Sequence, residues 1–314
     1  MSDTNPDLEW RTQADFAAAR FKAFFRRVFA FLTGQHNDLL AFDAVREKLR
    51  VGGPIYRGVR TVPIERIVGS VDRYRDFDRA FLPREDFMAE RWQKVSRAWY
   101  QDISLPPVLL YKVGDVYFVV DGHHRVSVAR QKGQADIDAD VRECAVRVPV
   151  TTDIQPEDLV ILGARVEFLE RTGLDHVRPA AAVEVTILGG YDRLLEHIAV
   201  HRYFMGLDWQ RDVSDEEAVG HWYDTVFQPI TAVIGESDIL SAFPGRTAAD
   251  LYLWVLDHRH YLVEQGLANL VEPGQAAEDF LRAYFGKPAE GPAADAGPAS
   301  ADAARSSDPS QPHD

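Results

Sequence analysis

One cysteine, no membrane-length apolar run and a shortage of positive charge set the first limits on this chain. The single cysteine, Cys144, excludes an internal disulfide framework and any zinc site built from several thiolates. It falls in a predicted strand over residues 137–144, where a buried, inert thiol is expected rather than a nucleophile. No uninterrupted apolar stretch reaches bilayer-spanning length, so no membrane partner is expected. The opening residues, Met1-Ser2-Asp3-Thr4-Asn5-Pro6, are polar and acidic and do not resemble a secretory leader, which makes a cytoplasmic location the expectation. Lys and Arg number 35 against 49 Asp and Glu, a formal net charge of −14. Broad non-specific affinity for DNA needs a cationic surface and is not favoured, although a local basic patch is compatible with this balance.

What is present suits a globular protein: 314 residues, 46% of them hydrophobic, are enough for two ordinary domains or one large one. Residues 14–32 read as a helix on which Phe16, Phe21, Phe24, Phe25, Val28, Phe29 and Leu32 crowd one broad face, with Arg20, Lys22, Arg26 and Arg27 between them. Such a helix can lie on a membrane or bind an acidic partner. Packing against its own domain is the expectation, because residues 38–49 continue as a second helical pattern. Gly52-Gly53-Pro54 breaks the chain. Residues 59–70 give a short strand and one helical turn, residues 71–79 are polar, aromatic and dense in arginine, and residues 85–100 form a helix anchored by Phe87, Trp92 and Val95. Pro106-Pro107 stops it. Residues 108–113 and 116–120, joined by Gly114-Asp115, predict a β-hairpin, and residues 137–144 a further strand that residues 146–150 extend or supplement.

A second region begins near Thr151. Helical patterns cover residues 157–171, 191–204, 215–233 and 248–265, interrupted by a strand-like 182–188, with a last helix over 275–285. Beyond Gly286 the chain has almost no apolar bulk and reads as disordered. The expected organisation is therefore N-terminal helices over residues 1–54, a compact mixed α/β unit over 55–150, a mainly helical region over 151–286 and a tail over 287–314. The fold class is α/β in the broad sense (α+β).

The chemistry concentrates in residues 116–133. An apolar run, Val116-Tyr117-Phe118-Val119-Val120, meets a turn at Asp121-Gly122 and continues as a short helix ending near Gly133, where a C-cap requires positive φ. A strand that turns at glycine into a helix leaves backbone N–H groups unpaired, and the helix dipole adds positive potential, so the turn is suited to an anion, phosphate first. His123, His124 and Arg125 stand on it. Asp121 has a plain alternative as a cap, since Asp-Gly is a common turn.

Residues 58–144 resemble the ParB/sulfiredoxin-like fold family. The resemblance rests on a strand running into a short helix, Thr61-Val62-Pro63-Ile64-Glu65-Arg66-Ile67, and on a hairpin that ends in a Gly-x-x-Arg turn, Gly122-His123-His124-Arg125. In that family the turn cradles nucleotide phosphates. Sulfiredoxins carry a catalytic cysteine where His123 stands, so sulfinic-acid repair is not expected. ParB partitioning proteins carry a Gly-Glu-Arg-Arg-like turn and a helix-turn-helix domain, and no such domain is evident after Val150. The wording Asp121-Gly122-His123-His124-Arg125 is most similar to the free-serine kinases of the superfamily, which place an acidic base just after the first helix. Asp72, in Gly69-Ser70-Val71-Asp72-Arg73, is the nearest equivalent here.

The resemblance implies a nucleoside triphosphate, ATP or CTP, with Mg²⁺. The phosphates are expected on the turn Gly122, His123, His124 and Arg125, bound by its backbone N–H groups with His124 and Arg125 adding charge-assisted hydrogen bonds, and with Ser70 and Arg73 facing the nucleotide. Asp121 holds Mg²⁺ or orients His123, and Asp121, His123 and Asp72 are the candidate catalytic groups. Ser127 is expected to face outward. The implied activity is that of an NTP hydrolase or a phosphotransferase on a small polar acceptor. The alternative is a non-catalytic regulator that binds DNA or a protein partner through the same domain. In the helical region, His197 and His201 stand at i and i+4, a zinc-compatible spacing, and Glu196, Arg202, His221 and the run Asp257-His258-Arg259-His260 repeat the residue types. A polar helix interface is the favoured reading of that cluster. A cover over the nucleotide turn is the other.

Overall fold

The structure, a computed structural model, describes residues 6–34 and 36–264. The last predicted helix and the tail lie outside the described residues. Six strands among them form one mixed sheet: β1 (Leu40–Ala41), β2 (Pro54–Pro63), β3 (Ile67–Ser70), β4 (Val108–Val113), β5 (Val116–Asp121) and β6 (Asp136–Cys144). Their order is β1-β3-β5-β4-β6-β2. β3 runs parallel to both β1 and β5, β4 is antiparallel to β5 and parallel to β6, and β2 closes the far edge antiparallel to β6. The helices in chain order are α1 (Pro6–Thr33), α2 (Phe42–Lys48), α3 (Ala89–Tyr100), α4 (His123–Gln131), α5 (Asp158–Thr172), α6 (Leu174–Val177), α7 (Gly190–Trp209), α8 (Asp215–Trp222), α9 (Gln228–Glu236) and α10 (Ala248–Glu264).

The central strands are apolar on both sides because both faces of the sheet are covered. Side chains alternate, so neighbours in sequence serve opposite cores. Ile67 and Val119 join Phe16, Ala19 and Ala23 of α1, Trp92 of α3 and Val126 of α4 on one face. Val68 and Phe118 join Phe42 and Val45 of α2, Cys144 and, from α5, Leu159 and Val166 on the other. Between them Gly69 lets three strands close up: a Cβ there would lie 2.4 Å from the Phe118 ring and 2.5 Å from the Leu40 carbonyl oxygen. Cys144 is buried in β6 and burial pushes its thiol pKa up, in line with an inert role.

Three local results differ from the sequence reading. Residues 146–150 are not a strand: Pro149 cannot donate to a ladder, and the segment instead caps the hairpin, with Val150 accepting from the Asp115 N–H at 3.0 Å. Residues 182–188 are not a strand either, because side chains take their backbone donors: Val185 N–H reaches the Tyr191 hydroxyl at 3.2 Å and Thr186 N–H the Asp250 carboxylate at 2.8 Å. The helix predicted over 215–233 is divided by a π-helical segment, Tyr223–Phe227, immediately ahead of Pro229, whose missing N–H and ring forbid a regular continuation. Around it, Phe168, Tyr191, Trp222, Phe227 and Tyr252 build a separate helical core, in which the Trp222 indole donates to the Tyr252 hydroxyl at 3.0 Å.

The packing of α1 also departs from expectation. Its buried side is the narrow one, Thr12, Phe16, Ala19 and Ala23, because close approach to α3 and the sheet favours small residues. Phe21, Phe24, Phe25, Phe29 and Leu32 are exposed, and of these Phe21 and Phe24 line a cleft beside Arg84 and Asp86 and Phe25 one beside Pro63, Ile64 and Leu82.

Candidate functional site

β3 and β5 run side by side in parallel, β3 ending at Ser70 level with Val119 and β5 continuing to Asp121. Carboxyl ends of neighbouring parallel strands are where open sheets place ligands. β5 turns at Gly122, whose φ of +100° is left-handed, and α4 starts at the next residue. Two constraints require glycine there: the backbone conformation, and a Cβ that would lie 2.5 Å from Val108 Cγ1. The Gly122 carbonyl accepts from Val126 N–H at 3.0 Å, so α4 is well formed, and the N–H groups of its first turn have no partners within the helix. At the other end Gly133 takes φ +72°, as the C-cap reading required.

Three of the sequence-nominated side chains converge on His123 and His124. Ser70 Oγ lies 2.7 Å from His123 Nε2 and also accepts the Arg73 backbone N–H at 3.0 Å. Asp72, exposed to solvent, places Oδ1 3.7 Å from the same His123 nitrogen. The Arg73 guanidinium bonds Asp76 at 2.7 Å through Nε and reaches His124 Nε2 at 3.3 Å through Nη1. Phe77 floors the corner, stacked on the His123 ring at 6.0 Å and edge-on to His124 at 5.6 Å.

Both imidazoles are almost fully enclosed, 5% and 9% exposed. Desolvation lowers each pKa to about 4, with the neighbouring Arg73 charge adding to the effect at both rings. They are therefore neutral near pH 7, and the positive charge in this corner comes from Arg73 and the helix dipole, set against the carboxylates of Asp72 and Asp76, rather than from imidazolium. The tautomer of His124 follows. A guanidinium can only donate, so Nε2 is the acceptor and the ring proton sits on Nδ1. That Nδ1 is buried and has no hydrogen-bond partner among the described residues.

Asp121 and Arg125 sit on the rim and hold each other, Arg125 Nη2 donating to Asp121 Oδ2 at 2.5 Å. Arg125 also donates to the carbonyls of Pro106 and, at 2.9 Å, Pro107, which ties the turn to the loop before β4. The carboxylate nominated for Mg²⁺ is thus already paired with a cation. Ser127 is corrected outright: it is buried, and its Oγ accepts the Trp92 indole N–H at 2.9 Å, because its side of α4 faces α3.

Several residues that build the site carried no individual signal in the sequence. Asp76 and Phe77 lie in the arginine-dense stretch, but the fold-back of the loop is what turns them toward α4. That loop is held by Asp78, whose Oδ1 accepts from Ala80 and Leu82 N–H at 2.9 and 2.8 Å. Arg130 of α4 completes the clamp, donating to the carbonyls of Ile64 and Ile67 at 2.7 Å each and of Arg79 at 3.0 Å. In the helical region, His201 Nε2 meets His221 Nδ1 at 2.8 Å and His197 lies edge-on to Tyr252 at 5.8 Å, an interface between helices. Among the described residues no three His, Cys, Asp or Glu side chains are grouped to hold a metal.

No family model matches the chain, and no curated protein matches it.

Proposed function

We propose that this protein binds a nucleoside triphosphate at the β5–α4 turn and acts as a phosphotransferase or NTP hydrolase of the ParB/sulfiredoxin-like kind. The observation that carries the reading is the glycine-led start of α4, at the end of a parallel strand pair, with a neutral His124 whose buried Nδ1–H is unpaired. An unpaired buried donor costs about 1–3 kcal/mol. A phosphate seated on the first turn would take the free backbone N–H groups there, and would reach the enclosed His124 Nδ1–H only if that ring turned toward it. The order of elements supports the same family, since β2 runs through a single 3₁₀ turn (Ile64–Arg66) into β3 and the β4–β5 hairpin delivers the glycine turn.

In this reading the His123 and His124 rings fill the floor, and the phosphates lie over the backbone on the open side, toward Gly122 and Asp72. Arg73 balances phosphate charge while its other nitrogen stays on Asp76. Asp72 accepts the proton of the acceptor hydroxyl, or of water, as that oxygen forms a bond to the γ-phosphorus and the bond to the β-phosphate oxygen breaks. Catalysis of this type is chiefly positioning and charge stabilisation. Mg²⁺ is expected to arrive with the nucleotide, coordinated mainly by phosphate and water, as is usual for this ion.

Calorimetry with ATP, CTP and ADP, with and without Mg²⁺, tests the binding step. An Arg73→Met variant should lose about 1.5–3 kcal/mol of affinity, the range for hydrogen bonds to charged groups. Absence of heat and of any thermal shift with every nucleotide would remove the proposal.

A further inference from the structure

α1 carries a second face whose chemistry the nucleotide corner does not use. At about 100° per residue, Phe21, Phe24, Phe25, Val28, Phe31 and Leu32 fall within an arc of about 120° centred opposite the buried residues Phe16, Ala19 and Ala23. The exposures agree: Phe21 is 64%, Phe25 53% and Phe31 86% open, and Trp10, two turns and more toward the N-terminus on the same side, is 70% open. With Phe24 and Phe29, the phenylalanines alone expose on the order of 600 Å² of ring surface, at about 200 Å² per side chain. That equals or exceeds the largest apolar patch of a typical monomer.

The borders of this stripe are cationic. Arg20 and Arg27 fall on one edge, Lys22 and Arg26 on the other, and residues 16–34 contain no acid, in a chain whose net charge is −14. Arg20 and Arg26 lean back to Asp86 at 2.9 Å and Asp78 at 3.2 Å. Lys22 meets only the amide oxygen of Gln131 in its hydrogen bond, Arg27 lies 5.8 Å from the Phe24 ring centre, and among the described residues neither has an ion pair.

We propose that the outward face of α1 adsorbs to an anionic lipid surface. The helix would lie in the plane of the interface, its rings among the upper acyl chains and its flanking cations at the level of the headgroups. A second copy of the chain is a poorer occupant, because a two-fold contact through this face sets the same cationic borders against each other. An acidic protein would satisfy the charges but must bring a matching apolar surface of its own, and it stands as an outcome of the test below. The proposal concerns peripheral adsorption and agrees with the finding that no described helix is long and apolar enough to cross a bilayer.

The test is sedimentation of the full chain with vesicles of phosphatidylcholine alone and of phosphatidylcholine with one third phosphatidylglycerol. Binding to the anionic vesicles that weakens with salt is expected. Phe25→Glu with Phe29→Glu should reduce it by at least on the order of a hundredfold, from the burial worth of two phenylalanines. Lys22→Gln with Arg27→Gln should reduce it roughly thirtyfold, at about 1 kcal/mol per cation. Both pairs are on the surface, so an unchanged thermal midpoint separates lost adsorption from lost folding. Equal binding to the two vesicle types, or none to either, overturns the proposal, the latter leaving the face to an acidic protein. A dimer in sedimentation velocity that Phe25→Glu dissolves overturns it in favour of a second copy.

Discussion

Acidification reads out the buried histidines. In the unfolded chain both titrate near 6.5; in the native protein burial and Arg73 hold them at about 4. Between these values the unfolded state binds more protons, so the native state loses stability as pH falls from about 6.5 toward 4 and keeps it in full above 6.5. Each histidine spans about 2.5 units, worth about 3 kcal/mol at 1.36 kcal/mol per unit, and the two together form a large share of the roughly 5–15 kcal/mol of an ordinary domain. The assay is urea denaturation at a series of pH values for the wild type and for His124→Gln, which keeps an acceptor for Arg73. Carboxylate effects are common to both proteins and cancel in the difference. The variant should fall less steeply with acid, so that its stability relative to wild type rises by about 3 kcal/mol from pH 7 to pH 4. Parallel curves would refute the claim that the His124 ring is buried neutral.

Other outcomes follow from the same geometry. Gly122→Ala should cost about 2–4 kcal/mol in denaturant melts, from the positive φ and the contact with Val108 together. Arg130→Met removes the donor shared by three backbone carbonyls and should cost about 3–5 kcal/mol by the same measurement, and it should weaken nucleotide binding as well, because the loop it clamps carries Arg73. Asp72→Asn should abolish turnover and leave nucleotide affinity within about threefold, as a carboxylate acting only as a proton acceptor requires; loss of binding and turnover together would make it a ligand instead. Arg125→Ala should lower stability as well as any nucleotide affinity, because that guanidinium ties the turn to the Pro106-Pro107 loop; calorimetry with a parallel thermal melt distinguishes this from a purely ligand-contacting arginine.

Short-range signals in the sequence hold where backbone preference decides. The hairpin at Gly114-Asp115, the turn at Asp121-Gly122 and the stop at Gly133 all appear where local conformational rules put them. Such signals do not hold where a side chain from another element changes the local outcome. Thr186 and Val185 lie in a strand-like run, yet Asp250 and Tyr191 claim their N–H groups from elsewhere in the chain. Ser127 looked like a surface residue on a polar helix until Trp92 of α3 donated to it. The stretch over residues 71–79 carries Arg73, Arg75 and Arg79, of which Arg73 was expected to face the nucleotide. Arg73 reaches His124 because Asp78 and Arg130 fold the loop back, whereas Arg79 is drawn off to the carbonyls of Thr152 and Ile154 at 3.0 and 2.8 Å.

By itself, the order of residues determined a mixed α/β architecture and a glycine turn feeding a helix N-terminus, since φ/ψ preference and apolar periodicity act over a few neighbours. Tertiary packing decided the rest. It set the protonation of His123 and His124, because the enclosing Phe77 ring and the Arg73 charge both arrive from the loop that follows β3. It also decided which side of α1 is buried, because close approach between helices selects Ala19 and Ala23 over the larger rings.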